Sequence, residues 1–152
     1  MATKKPVMRD VSELSPGDLA LGDEIGRGVR IVVADNERDT VMTLGILLRS
    51  SGFDVQLVQR GVDVAAAVAE AQPHAVLLDI AMPDRSGYDV ARDLRSRYAE
   101  RCPILIAVTS YTDASHRAQA EAIGFHHYLP KPYDPLELMR ILSELRHAAF
   151  SG

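Results

Sequence analysis

Four residues of this chain could share one chemistry: Asp35, Asp79, Thr109 and Lys131. Each follows a short apolar run. The runs are Ile31-Val32-Val33-Ala34, Ala75-Val76-Leu77-Leu78, Ile104-Leu105-Ile106-Ala107-Val108 and His127-Tyr128-Leu129. Along the chain the order is acid, acid, hydroxyl, cation. A carboxylate that closes a buried strand is costly unless a cation compensates it. Asp35 and Asp79 brought together would repel, and a divalent metal between them would relieve the repulsion. Two carboxylates with a backbone carbonyl and water suit Mg²⁺. Lys131 and the Thr109 hydroxyl could then hold an anion beside the metal. Metal, lysine and hydroxyl around a carboxylate make a phosphoryl-transfer site with the carboxylate as nucleophile.

Each residue alone has an ordinary explanation. An aspartate after a strand serves as a turn or helix cap, a threonine fits a turn, and Lys131 between two prolines fits a solvated loop. Four compatible groups at four of the strand ends outweigh these separate explanations. Other signals carry less. Gly22-x-x-x-Gly26-x-Gly28 has the look of a phosphate loop, but it precedes a strand instead of joining strand to helix. His126 and His127 point to opposite faces if extended, which is poor geometry for chelating one metal. Cys102 precedes Pro103 and no basic helper is expected beside its thiol, which argues against a catalytic thiol.

The elements that must position these groups alternate. Helical patterns follow each apolar run: Val41, Leu44, Leu47 and Leu48 form one stripe, Val90, Leu94 and Tyr98 another, Leu138, Met139, Leu142 and Leu145 a third. Alanine-rich helices are expected over 61–71 and 113–123. Asn36 is the expected cap of the first helix, and Gly124 is expected to close the helix before it. Asp134-Pro135-Leu136-Glu137 is a strong helix start. Phe53, Val55 and Leu57 alternate with polar residues, which suggests a half-exposed edge strand. The expected fold is α/β, a doubly wound five-stranded parallel sheet with helices on both faces. In such sheets ligands bind at the carboxyl ends of the strands.

The 152 residues are 47% apolar and 25% charged, a globular balance. The expected division is an N-terminal extension over 1–28, one domain over 29–149, and a tail over 150–152. One cysteine excludes a disulfide framework or a multi-cysteine zinc site. A net charge of −4 argues against nucleic acid as a partner. No run is long enough to span a membrane and no apolar core follows the basic start, so the expected location is cytoplasmic.

The sequence resembles the receiver domain of two-component response regulators over about residues 29–149. The matching stretches are Val32-Val33-Ala34-Asp35-Asn36, Leu77-Leu78-Asp79-Ile80-Ala81-Met82-Pro83 with Gly87, Ala107-Val108-Thr109-Ser110, and Tyr128-Leu129-Pro130-Lys131-Pro132. The resemblance implies a flavodoxin-like sheet with strand order 2-1-3-4-5. It implies that Asp79 is the phosphoacceptor, served by a sensor histidine kinase or a histidine phosphotransfer protein. It implies Mg²⁺ held by Asp35, Asp79 and the backbone carbonyl of Ala81, phosphoryl oxygens held by Thr109 and Lys131, and Tyr128 as a switch residue responding to Thr109. Two departures stand out. Ala34 replaces the first of two adjacent acids usual in the family, which weakens the metal site. Pro130 removes a backbone N–H near Lys131.

The function expected from these residues is that of a signalling switch with no attached output domain, not an enzyme beyond self-catalysed phosphorylation and dephosphorylation of Asp79. The bulk of Tyr111, two residues after Thr109, favours slow dephosphorylation. Two alternatives stay open. One is a receiver-like interaction module independent of phosphorylation, favoured by Ala34. The other is an aspartate-nucleophile phosphohydrolase, opposed by Ala81 where such enzymes place a second acid. Met42 and Ile46 fall opposite the buried stripe of their helix and form a candidate docking patch for the partner; a second copy of the chain is a further candidate partner.

Overall fold

The computed structural model describes residues 26–150. Residues 1–25, most of the expected extension, and residues 151–152 of the tail lie outside the described residues. Gly26 to Gly28 form a turn that leads into the sheet, and the Gly26 N–H donates to the Ser51 carbonyl at 2.8 Å.

Five parallel strands make one sheet in the order β2-β1-β3-β4-β5. They are β1 Arg30–Ala34, β2 Asp54–Val58, β3 Ala75–Asp79, β4 Ile104–Thr109 and β5 His127–Pro130. Five α-helices alternate with them: α1 Arg38–Ser50, α2 Val64–Ala71, α3 Gly87–Tyr98, α4 Ala114–Ile123 and α5 Pro135–Phe150. This is the doubly wound architecture and strand order expected from the sequence. The continuous apolar runs of β1, β3 and β4 are buried on both faces, as a parallel sheet covered by helices requires. β2, the alternating run, lies at an edge.

Side chains along each strand point alternately to two cores. Ile31, Val33, Leu77, Ile106 and Val108 pack with Leu44 and Leu48 of α1 and Leu138 and Leu142 of α5. Val32, Ala34, Val76, Leu78, Leu105 and Ala107 pack on the other face with residues of α2, α3 and α4. Gly124 adopts a left-handed conformation, φ 114°, and closes α4 as expected. Pro135 is the first residue of α5, and the Asp134 carboxylate accepts the Leu136 N–H at 2.9 Å.

Asn36 does not cap α1. Glu37 occupies the cap position with extended backbone and makes no side-chain cap bond. The Asp35 carboxylate instead accepts the Glu37 N–H at 2.9 Å, so the acid at the end of β1 does the local turn-stabilising work assigned to its neighbour. Cys102 also differs from expectation. Arg95 pulls its pKa down, although burial dominates and pushes the thiol up; an inert thiol remains the consistent description.

His74 and His126 precede β3 and β5 and extend the sheet at its amino-terminal end. Nδ1 of His74 accepts the Arg30 N–H at 3.0 Å while the His74 backbone N–H donates to the Arg30 carbonyl at 2.8 Å. His126 forms the same pair with Leu105, at 3.1 and 2.8 Å. A protonated imidazole has no acceptor left. Burial, then the Arg30 charge, lowers the His74 pKa; burial, then Arg95 and His127, lowers that of His126. The unfolded chain therefore binds more protons between these lowered values and the ordinary ~6.5, and stability is lost as pH falls through that window. The melting temperature should fall between about pH 7.5 and about pH 5.5. A variant carrying His74→Asn and His126→Asn keeps an uncharged acceptor at each site and should show a weaker acid dependence. Equal dependence in both proteins would assign it to other groups.

Candidate phosphoacceptor site

The strand ends bring the four chemically marked residues together. Asp35 follows β1, Asp79 ends β3, Thr109 ends β4 and Lys131 follows β5. Extra ladder bonds carry the sheet geometry past the strands. The Asp35 N–H donates to the Val58 carbonyl at 3.0 Å, the Ile80 N–H to the Val108 carbonyl at 3.1 Å, and the Lys131 N–H to the Thr109 carbonyl at 2.7 Å. The functional side chains thus start from backbone that the sheet holds in place. Pro130 ends β5 without disturbing this pattern, since the Lys131 amide makes the rung.

Lys131 Nζ lies 3.1 Å from Asp35 Oδ2 and 3.5 Å from Asp79 Oδ2. Both aspartates are buried, each 3% exposed, and Thr109 is fully buried. The other carboxylate oxygens are also engaged: Asp35 Oδ1 takes the Glu37 N–H, and Asp79 Oδ1 takes the Ala81 N–H at 3.1 Å. One lysine against two carboxylates leaves a net negative charge in a buried place. Burial, then the Asp35 charge, raises the Asp79 pKa above the usual carboxylate value, against the opposing pull of the Ala81 amide and Lys131. Burial alone would lower Lys131, but the Asp35 hydrogen bond and charge, with Asp79 and Glu37, raise it, so the ammonium is held charged.

Several positioning features were not evident in the sequence. Tyr133, in the turn between β5 and α5, is half-buried beside the acids. Burial and then the charges of Asp35 and Asp79 push its phenol up to about 12. It forms one wall of an open groove of about 620 Å³ with Lys131, Pro132, Glu37, Thr40 and Leu44. Asp84, in the loop after Asp79, accepts the Val62 N–H at 2.9 Å and the Gly61 N–H at 3.0 Å, tying that loop to the turn before α2. These two amides hold its carboxyl below the usual range. Gly87 starts α3 directly over the Asp79 peptide. A Cβ there would stand 2.6 Å from the Asp79 carbonyl oxygen, so only glycine allows the loop to fold back this closely. Short-range periodicity carries no trace of Tyr133 or Asp84; only the glycine was marked in the motif.

Thr109 Oγ1 accepts the Tyr111 N–H at 3.0 Å, and the Tyr128 hydroxyl donates to the Tyr111 carbonyl. Thr109 and Tyr128 are therefore joined through the backbone of one residue, Tyr111. Met42 and Ile46 are 48% and 68% exposed, opposite the buried Val41, Leu44 and Leu48 of α1.

Two buried acids, a lysine bridging them and a buried hydroxyl, all at the carboxyl edge of a 2-1-3-4-5 sheet, define a class of signalling domain. The chain belongs to the response regulator receiver domain family, whose pattern matches residues 31–143. It is 33% identical over 125 residues to the transcriptional regulatory protein GltR of Pseudomonas aeruginosa, a match covering 82% of this chain and 52% of GltR. It is 38% identical over 111 residues to the response regulator MprA of a Mycobacterium species, covering 73% of this chain and 47% of MprA. The chain thus spans about half the length of the curated relatives it matches. Among solved structures, the chemotaxis response regulator CheY4 of Vibrio cholerae shares its fold, with a TM-score of 0.71 at 19% identity, over 77% of this chain and 98% of that one. Among the described residues no helix is long and apolar enough to cross a membrane.

Proposed function

We propose that the chain is a phosphoacceptor switch that receives a phosphoryl group on Asp79 from a histidine kinase or a histidine phosphotransfer protein. The observation that carries this reading is the Lys131 ammonium within 3.5 Å of both buried acids at the strand ends. An Asp79 oxygen attacks phosphorus, the bond from phosphorus to the donor breaks, and the donor leaves with the electron pair. Lys131 faces the charge that builds on the phosphoryl oxygens, and the Thr109 hydroxyl retains its proton to donate to one of them. Release is hydrolysis of the same acyl phosphate, so the protein supplies catalysis to its own modification and turns over no separate substrate. Such a switch would act in the cytoplasm.

The residues present fit a magnesium ion. Asp35 and Asp79 are hard oxygen donors with an uncompensated negative charge between them, and the Ala81 carbonyl is a third oxygen donor close by in sequence. Mg²⁺ held there would supply charge neutralisation at the phosphoryl group. Ala34 leaves that donor set one carboxylate poorer than the family's usual pair. Incubation with acetyl phosphate and Mg²⁺ tests the reading by intact mass: one added phosphoryl group, lost on mild base treatment, is expected. No gain in mass would favour the phosphorylation-independent module.

The partner surface is α1. Met42 and Ile46 expose apolar surface on the helix that follows Asp35, beside the groove lined by Lys131 and Tyr133. Methionine repacks readily against a partner. Met42→Lys with Ile46→Lys should cut phosphotransfer from the partner histidine by about 100-fold, the loss of two buried apolar contacts at about 1.5 kcal/mol each. Phosphorylation by acetyl phosphate should stay at the wild-type rate. If both donors fail, the substitutions have disturbed the domain; if neither does, the patch is incidental.

A further inference from the structure

Tyr111 is held at three points. Its N–H is on Thr109 Oγ1 at 3.0 Å and its carbonyl is under the Tyr128 hydroxyl. The residue is 44% exposed, and its ring stacks on the His116 imidazole with centroids 4.5 Å apart and planes at 15°. The first two contacts run through the Tyr111 backbone and link hydroxyl to phenol. The third belongs to neither.

His116 is itself fixed from three sides. Its Nδ1 lies 2.5 Å from Asp113 Oδ1, its N–H is on Asp113 Oδ2 at 3.3 Å, and its carbonyl accepts the Tyr88 hydroxyl at 3.3 Å. Asp113 caps α4 and Tyr88 lies in the first turn of α3, so the His116 backbone is tied to two helix starts and its imidazole to Asp113. The ring of Tyr111 has no other ring partner among the described residues. A shift of Thr109 toward a phosphoryl group would draw on the Tyr111 amide, and the Tyr111 ring rests on His116.

Resting on the phosphoacceptor reading above, we propose that His116 is a positioning residue of the switch. Its stack on Tyr111 sets the Tyr111 carbonyl where the Tyr128 hydroxyl reaches it before any phosphoryl group arrives. The stack, not the side-chain contact with Asp113, performs this role: an aromatic ring of similar size at 116 would serve, and a methyl group would not. The backbone cap from Asp113 survives either change, because it uses the N–H of residue 116.

Tyrosine-ring NMR spectra of the full chain test this, with the Tyr128 signals assigned by Tyr128→Phe. In the free protein, His116→Ala should shift the Tyr128 ring signals away from wild type, while His116→Phe should leave them in place. Beryllofluoride with Mg²⁺, a mimic of the aspartyl phosphate, should return the His116→Ala signals toward the wild-type position. Coincident Tyr128 signals in wild type and His116→Ala overturn the proposal, as does a His116→Phe spectrum as displaced as that of His116→Ala. If beryllofluoride alters none of the spectra, the phosphoacceptor reading fails, and the comparison of free proteins still decides the role of His116.

Discussion

Asp79→Asn takes up no phosphoryl group from acetyl phosphate, and its domain melts at a higher temperature than the wild type. Both expectations come from the same geometry. The amide keeps the planar shape and can still accept the Ala81 N–H that now bonds Oδ1 at 3.1 Å. It offers no nucleophilic carboxylate oxygen, so the loss of transfer should be complete within detection. Meanwhile the charge it removes is one that burial and Asp35 disfavour. A carboxyl whose folded pKa is raised binds its proton more tightly when folded, so its ionisation costs stability as pH rises above the unfolded value. Lys131 retains Asp35 at 3.1 Å after the change. Relief of one like-charge contact in a buried site is worth on the order of 1 kcal/mol, or about 4 °C in a domain of this size. The gain should be present near neutral pH and vanish below about pH 4, where both proteins are uncharged at this position. Intact mass and a melting series over pH check both halves. A phosphoryl group on Asp79→Asn would move the acceptor elsewhere, and an unchanged melting temperature would mean that the two acids do not strain the fold.

The sheet was legible because β1, β3 and β4 are apolar throughout and β2 alternates. Burial on two faces and exposure at an edge write themselves into residue type. The strand ends were legible for a related reason: a charged or hydroxyl residue straight after a buried strand stands out. Contacts between distant residues were not. Tyr133 meets the two acids only because the β5–α5 turn folds back over the end of β1, and no local period encodes that approach. Nothing local marked His74 and His126 as partners of a neighbouring strand, yet each bonds one, 44 and 21 residues away. Asn36 was favoured as a cap by its type, and Asp35 took the local N–H because its side chain is fixed by the sheet it follows. The Arg95 charge acts on Cys102 from α3, an influence that the intervening turn brings about.

Lys131→Met tests the other side of the charge balance and should have the largest effect on stability. Methionine keeps much of the length and flexibility of the lysine stem and removes the ammonium. Asp35 and Asp79 then face each other with no cation at 3.1 and 3.5 Å. Removing one partner of a fully buried ion pair costs about 3–5 kcal/mol. The Lys131 side chain is 23% exposed, so water shares the burden and a loss of about 2–3 kcal/mol is expected near neutral pH. Protonation of Asp79 relieves the repulsion, so the deficit against wild type should shrink as pH falls toward about 4. Added Mg²⁺ should restore part of the lost stability, because a cation between the acids replaces the missing one. Transfer from acetyl phosphate should slow by about 100- to 1,000-fold, the scale for removing one group that faces developing charge in a transition state. Lys131→Arg should recover stability more fully than rate, since a guanidinium is positively charged but too broad and planar to occupy the place of an ammonium against two acids. Melting curves with and without Mg²⁺ and single-turnover phosphorylation measure these effects separately. Wild-type stability and rate in Lys131→Met would reduce Lys131 to a loop charge and leave the two buried acids without the partner on which the proposed chemistry depends.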